Sequence, residues 1–184
     1  VPGQRLKYEQ YFDHFRRNGY EIRVSPFFAP AGYKILYKHG RFLSKFMWVI
    51  LGYAKRVLQI FSLPFYNGVY VFLYVTPFGS SMFERLYRMV SWRIIYDIDD
   101  LDYFGRASKV NSFDGIIRRP GKYFYQMRVA DHVITCTPHL DAKVREYNSN
   151  TTDISSTIDT EKYLPKDDYS NNYPLVIGWS GSHS

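Results

Sequence analysis

Three carboxylates in the middle of the chain are the residues best placed to do chemistry. Residues 94–96 are apolar or aromatic, and Asp97, Asp99 and Asp100 come directly after them. Runs of this kind are typical of buried parallel strands, and ligands of open α/β sheets bind just beyond the carboxyl ends of such strands. Because clustered carboxylates repel one another, they need water, a cation or a polar ligand beside them. The pattern indicates either a solvated acidic loop or a site for a polar ligand.

Small or polar residues follow two other β-prone runs and extend the candidate site. Thr76 and Phe78 come after the run 69–75, and a loop of small residues follows the run 175–177. Small residues let a ligand approach the backbone closely, and a simple turn is the alternative explanation for both loops. The residues of the second loop are Gly178, Ser180, Gly181 and Ser182.

The start of the chain supplies a candidate anion site. Gly3, Gln4 and Arg5 precede or open a predicted helix over residues 6–15. The first N–H groups of a helix and its dipole favour anions, although an ordinary helix start explains the same residues. The histidines are scattered without ligand spacing, so we predict neither a metal site nor a cofactor.

Helices and strands alternate along the chain, which favours a doubly wound parallel sheet. Gly19 is expected to end the first helix as a cap. The other predicted helices cover residues 42–61, 80–90, 121–130 and 138–147. The predicted strands cover residues 20–25, 69–75, 92–96, 132–136 and 175–177, with a short one around Ile154. The predicted fold class is therefore α/β with a Rossmann-like sheet.

A polar stretch divides the chain into unequal parts. Residues 1–158 are predicted to form one Rossmann-like domain. Residues 159–173 are polar, with three Asp, two Asn and Pro165, and are predicted to be a linker. Residues 174–184 are predicted to be the first strand and loop of a second domain.

Positive charge is concentrated in the first third of the chain. The net charge is +7, and residues 1–60 hold 11 Lys and Arg against 3 Asp and Glu. Such a segment suits an anionic membrane, a phosphorylated ligand or nucleic acid, but no nucleic-acid-binding motif accompanies it. The basic, aromatic region 33–61 favours docking on an anionic membrane, with Lys45, Lys55 and Arg56 as expected headgroup contacts. A core-packed helix is the alternative.

Cysteine content and hydropathy indicate the cellular compartment in which the chain is expected to act. Cys136 is the single cysteine, which excludes an intrachain disulfide and fits a reducing compartment. Residues 57–83 carry no charge, but Pro64 and Pro77 interrupt them, so no membrane-spanning helix is expected there. The predicted location is cytoplasmic, with peripheral attachment to the inner face of the membrane.

Five segments in chain order resemble the glycosyltransferases of family 4, a large retaining family with the GT-B fold. The first runs from Arg5 to Gly19 and leads into Gly-Tyr-Glu-Ile-Arg-Val, and residues 96–100 resemble an acidic strand end in one branch of the family. The other three are Ala-Asp-His-Val-Ile at 130–134, Thr-Ile-Asp-Thr-Glu-Lys-Tyr-Leu-Pro at 157–165 and Val-Ile-Gly-Trp-Ser-Gly-Ser at 176–182. Together the segments extend over nearly the whole chain.

The resemblance implies two Rossmann-like domains with the active site in the cleft between them. Residues 1–158, without the family's first strand, would hold the acceptor, with Thr76 and Phe78 lining its site. The three carboxylates would orient acceptor hydroxyls, and the loops 3–5 and 178–182 would contact the nucleotide-sugar. The implied activity is sugar transfer to a cell-surface glycan or lipid-linked acceptor in polysaccharide biosynthesis. The 184 residues alone are expected to be inactive.

Two other functions explain the same residues. In a metal-dependent transferase of the GT-A type, Asp97 and Asp99 would form a metal-binding D-x-D motif. In a non-catalytic module, the same sheet edge would bind a sugar or nucleotide without turnover. Dependence on a metal separates the two transferase types.

Overall fold

The computed structural model describes residues 7–36, 38–100, 121–155 and 157–165, in which helices flank an all-parallel sheet. Helices α1 to α6 cover Phe12–Arg17, Pro30–Leu36, Phe42–Ser62, Met82–Val90, Gly121–Val129 and Pro138–Val144. Strands β1 to β4 cover Val69–Phe72, Ile94–Asp97, His132–Thr135 and Thr151–Asp153. Short 3₁₀ turns at Glu9–Tyr11 and Leu63–Phe65 precede α1 and follow α3.

The strands of the sheet lie in the order in which they occur along the chain. β1 pairs with β2, β2 with β3 and β3 with β4, always in parallel. Val71 lies opposite Tyr96, and Tyr96 lies opposite Val133. Each strand lies on the same side of the strand that precedes it in the chain. Because parallel crossover connections are almost always right-handed, the helices that connect such strands lie on one face of the sheet. The predicted α/β class with a parallel Rossmann-like sheet is confirmed.

One face of the sheet forms the hydrophobic core with α4, α5 and α6. Ile94, Tyr96 and Val133 point into this core and are completely buried. The helices contribute Phe83, Tyr87, Met127, Leu140 and Val144 to the same cluster. Burial of each large apolar side chain contributes about 1.5–3 kcal/mol, so the alternation along β2 fixes which of its residues face the helices.

The N-terminal segment packs over the opposite face of the sheet. On this face Tyr70 and Ile95 remain 42% and 39% exposed. The Tyr8 ring lies 5.6 Å from the rings of both Tyr70 and Phe72. This packing brings Lys7 to the carboxyl end of β2.

The helix cap predicted at Gly19 is confirmed. Gly19 has a φ of +84°, and its N–H donates to the Arg16 carbonyl while the Tyr20 N–H donates to the Phe15 carbonyl. These two bonds form a Schellman motif. The rings of Phe15 and Tyr20, 5.9 Å apart, supply the apolar contact that accompanies such a cap.

Helix α3 agrees closely with its prediction, and most other elements overlap theirs but are shorter. The strand predicted over residues 20–25 is wrong, because these residues pair with none of the described strands of the sheet. The Ser25 carbonyl accepts from Arg56 at 3.2 Å, and the neighbouring Pro26 carbonyl accepts from Lys55 at 2.9 Å. Residues 30–36, for which the sequence predicts neither a helix nor a strand, form α2, which begins at a proline suited to the first helical turn.

The proposed domain boundaries stay a prediction. The structure describes residues 157–165 at the start of the expected linker, and it places a short strand, β4, directly before Ile154. The strand expected over residues 175–177 and the rest of the segment 174–184 lie outside the described residues.

Candidate functional site at the carboxyl edge of the sheet

The acidic segment lies at the carboxyl edge of the sheet, as the sequence predicts. Asp97 is the last residue of β2 and is completely buried. One of its carboxylate oxygens accepts from the Lys7 ammonium and the other from the Tyr70 hydroxyl. Both oxygens of Asp97 are therefore occupied, and this carboxylate holds the N-terminal segment against the sheet.

Burial controls the ionisation of this cluster. It raises the pKa of Asp97, and the hydrogen bonds from Lys7 and Tyr70 act in the opposite direction. Burial and the neighbouring Asp97 also raise the pKa of Tyr70. The pKa of Tyr8 is raised to about 12 by burial and by the charges of Glu9 and Asp97. Both tyrosines therefore remain neutral hydrogen-bonding groups at physiological pH.

Asp99 and Asp100 are the carboxylates that a ligand can reach, since Asp99 is half-buried and Asp100 is exposed. Burial raises the pKa of Asp99, while the nearby Lys7 lowers it. The Cys136 thiol, after β3, donates to the Asp99 carbonyl at 3.0 Å and fixes the loop. A partly exposed carboxylate with a raised pKa is a stronger base and hydrogen-bond acceptor than an ordinary surface aspartate.

Thr76 and Phe78 lie in the loop after β1, at the same edge of the sheet. Thr76 is completely buried, and its hydroxyl donates to the Phe78 carbonyl at 3.3 Å. The Tyr53 hydroxyl donates to the same carbonyl at 2.7 Å. The Phe78 ring is 39% exposed. Thr76 therefore shapes the loop in this conformation, and Phe78 offers the surface that a ligand can reach.

A cluster of three buried polar side chains, Lys122, Glu84 and Gln126, lies beside this loop. The Lys122 ammonium donates to the Thr76 carbonyl at 2.7 Å and is itself buried. Glu84 and Gln126 are buried beside it, and no donor or acceptor of the described residues reaches their side-chain polar atoms with good hydrogen-bond geometry, although backbone amides lie close to the Glu84 carboxyl. Burial lowers the pKa of Lys122, and the charge of Glu84 raises it. The loop that carries Phe78 thus packs against ionisable side chains that are buried away from solvent.

The remaining candidate residues lie outside the described residues. These residues are Gly3, Gln4, Arg5, Gly178, Ser180, Gly181 and Ser182. Their predicted contacts with a donor stay predictions. Lys7, which follows the first group by two residues, reaches the carboxyl edge of β2 through its ion pair with Asp97.

The geometry disfavours the use of Asp97 as a metal ligand. A D-x-D metal site needs free carboxylate oxygens on both aspartates, but those of Asp97 are taken by an ammonium and a phenol. In the part of the chain that the structure describes, no three His, Cys, Asp or Glu side chains are grouped in a way that could hold a metal ion.

Sequence reasoning missed the partners of the aspartates. These partners are Lys7 with its neighbour Tyr8, Tyr70 and Cys136, which come from three different parts of the chain and meet only in the folded sheet. A usable signal existed for Tyr70, since a polar-tipped side chain in the alternating strand β1 faces away from the core. No residue pattern near Lys7 indicates its ion pair with Asp97, because that pair depends on how the N-terminal segment packs across the sheet.

A shallow depression elsewhere on the surface is distinct from this site. Its lining includes Trp92 and Arg93, which precede β2 at the amino edge of the sheet. The Trp92 indole N–H donates to the Pro64 carbonyl at 2.9 Å there. It lies at the opposite edge from the carboxylates.

Comparison of the chain with protein-family models, curated proteins and solved structures finds no match. The fold and the site therefore define the protein at the level of class, as an α/β chain with a parallel Rossmann-like sheet and a polar carboxyl edge.

Proposed function

We propose that this chain is the acceptor-side part of a retaining glycosyltransferase. The enzyme would move a sugar from a nucleotide-sugar to a hydroxyl of a cell-surface glycan or lipid-linked acceptor. The observation that carries the proposal is the half-buried Asp99, at the carboxyl end of a central parallel strand and beside the buried ion pair of Asp97 and Lys7. The resemblance of five ordered sequence segments to family 4 glycosyltransferases supports the same class.

The chemistry needs an oriented hydroxyl more than a strong nucleophile. In the transfer, the bond between the sugar C1 and the diphosphate oxygen breaks, and the diphosphate leaves with the electron pair. The acceptor oxygen bonds to C1 on the same face, and its proton leaves with the departing diphosphate. Orientation of two reactants in one site can supply several kcal/mol of the barrier reduction, on the order of 7–11 at best.

The residues of the edge have separate roles in this proposal. Asp99 accepts the hydrogen bond of an acceptor hydroxyl, which its raised pKa favours. Asp97, tied to Lys7 and Tyr70, is a positioning residue that fixes the direction of the strand end. The exposed ring of Phe78 offers an apolar wall of the kind on which a sugar face packs.

Release of nucleoside diphosphate from a panel of nucleotide-sugars tests the proposal. The assay uses the complete gene product, with acceptor extract, in the presence and absence of EDTA. Release that survives EDTA and depends on acceptor supports the GT-B transferase and identifies the donor.

Two other results would contradict the proposal. Release abolished by EDTA and restored by a divalent cation would favour the GT-A alternative, with Asp97 leaving its ion pair to bind metal. Saturable binding of a nucleotide-sugar without release in any extract would favour the non-catalytic module.

A further inference from the structure

The outward face of helix α3 is entirely apolar and belongs to no core that the structure describes. Its residues recur at helical spacing along the whole length of the helix. This lipid face consists of Phe42, Leu43, Phe46, Met47, Ile50, Leu51, Ala54, Val57, Leu58 and Phe61, all of them exposed. Phe42 and Phe61, near its two ends, are 82% and 73% exposed. An exposed apolar stripe of this length marks an interaction surface.

The inward face of α3 is fixed to the protein. A Cβ on Gly52 would lie 2.5 Å from the Phe27 ring, which shows how closely the helix packs there. Buried Arg56 donates to the carbonyls of Val75 at 2.8 Å and Ser25 at 3.2 Å. By length and composition alone, Phe42–Phe65 is apolar enough to cross a membrane. Because Arg56 and Gly52 tie one side to the protein, the helix is suited to lie along a surface instead.

The charges around the lipid face identify its partner. Residues 22–83 contain seven Lys and Arg and no Asp or Glu. Lys34, Lys38 and Arg41 are exposed close to the amino end of α3, and Lys45 in its first turn is half-buried. A second protein surface would not require an unbroken absence of acidic residues, whereas an anionic bilayer does favour it.

The structure corrects the cations expected to contact headgroups. Arg56 is buried, and Lys55 donates to the Pro26 carbonyl at 2.9 Å. Burial and the neighbouring Arg56 lower the pKa of Lys55. The prediction that Arg56 contacts lipid is therefore wrong, the prediction for half-buried Lys55 stays untested, and the exposed cations at the amino end of α3 are the better candidates.

We infer that the chain docks on an anionic lipid bilayer through the lipid face of α3, which lies flat in the interface. The cations at the amino end of α3 contact lipid phosphates while the apolar side chains enter the acyl boundary. This inference concerns where the chain acts and does not depend on sugar transfer.

Co-sedimentation of the 184-residue chain with phosphatidylcholine vesicles, with and without phosphatidylglycerol, tests the inference. We expect binding to the vesicles that contain phosphatidylglycerol. The double variant Phe46→Gln with Ile50→Gln should weaken it by about tenfold or more, because two apolar side chains no longer leave water. The double variant Lys38→Gln with Arg41→Gln should weaken it by roughly fivefold for each charge removed.

Controls separate docking from loss of fold and from self-association. Met89→Gln changes an exposed apolar residue away from the lipid face, at 80% exposure, and should bind as the unchanged chain does. Leu58→Gln provides a single, milder change on the face, and circular dichroism checks that each variant is folded. Absence of vesicle binding, or binding insensitive to Leu58→Gln and to the Phe46/Ile50 pair, would overturn the inference. A dimer in light scattering that those same changes dissociate would instead assign the face to a second copy.

Discussion

At the scale of single residues, Asp97 and Asp99 at the carboxyl edge differ in how far a ligand can reach them. Asp97 is completely buried and satisfied by Lys7 and Tyr70, whereas Asp99 is half-buried. Removing a partner from a buried ion pair costs about 3–5 kcal/mol, since it leaves an uncompensated charge. Substitutions of the two aspartates should therefore have different consequences.

We expect Asp99→Asn to lower sugar transfer by about 100-fold in the complete protein, through lost orientation of the acceptor, while lowering its stability by under about 1 kcal/mol. The neutral amide is a weaker hydrogen-bond acceptor for the acceptor hydroxyl than the carboxylate is. Initial rates of nucleoside-diphosphate release and urea unfolding measure the two effects. Asp13→Asn, on the exposed surface of α1, is the matched control. Equal losses of activity and stability would show that Asp99 is structural.

Glu84 should make the stability of the protein depend on pH. Burial raises its pKa, against the effects of nearby Lys122 and backbone amides. Since the folded-state pKa lies above the unfolded-state value, the protonated form stabilises the folded state. That contribution is complete below the unfolded pKa of about 4.3 and declines as pH rises through the folded value.

Glu84→Gln keeps the side chain neutral at every pH. We expect it to raise the free energy of unfolding by about 1–3 kcal/mol at pH 8, and by much less near pH 4. Urea unfolding at both pH values measures the difference, and Glu161→Gln on the exposed C-terminal segment serves as the control. A destabilised Glu84→Gln variant at pH 8 would mean that the ionised carboxylate pairs productively with Lys122.

At the scale of elements, one contact of α3 leaves very little space. Gly52 faces the Phe27 ring, which also lies 5.2 Å from the Tyr53 ring and 5.8 Å from the Arg56 guanidinium. At this point the helix packs on an aromatic ring that leaves no room for another side chain. This contact also sets which face of α3 is turned outward.

We expect Gly52→Ala to lower the free energy of unfolding by about 1–3 kcal/mol, because an added methyl group overpacks the contact with Phe27. The loss should appear even though alanine favours helix by about 1 kcal/mol over glycine. Gly121→Ala is the matched control, since a Cβ there would meet no atom of the described residues within 4 Å. Thermal unfolding followed by circular dichroism compares the two, and a stabilised Gly52→Ala variant would refute the overpacking.

The elements were predictable where local chemistry decides them. The Schellman cap at Gly19, the length of α3 and the strand β2 follow from spacing that acts within a few residues. Residues 20–25 alternate between polar and apolar side chains as a strand would. However, the carbonyls of Ser25 and the following Pro26 accept hydrogen bonds from the side chains of Arg56 and Lys55. A pattern within one segment cannot show that a distant helix will compete for its backbone.

At the scale of the whole molecule, the parallel sheet and the edge that bears the carboxylates were predictable from the sequence. The side chains from distant segments that contact this edge were not. Parallel topology follows from alternating elements, and strand ends follow from composition. The pairing of Lys7 with Asp97 spans 90 positions, and the support of Thr76 by Lys122 spans 46. Such contacts depend on how distant segments pack across one another. The pattern of residues within a single segment does not indicate that packing.

The order of the strands also has a consequence for how the chain is made. Each new strand of the sheet pairs with the one synthesised just before it, from β1 to β4. A growing polypeptide therefore always offers a completed neighbour for the next strand, and no early strand has to wait for a distant partner. When residue 100 has left the ribosome, β1 and β2 can already be paired, so Asp97 can meet Lys7 and Tyr70 before residues 121–165 are made.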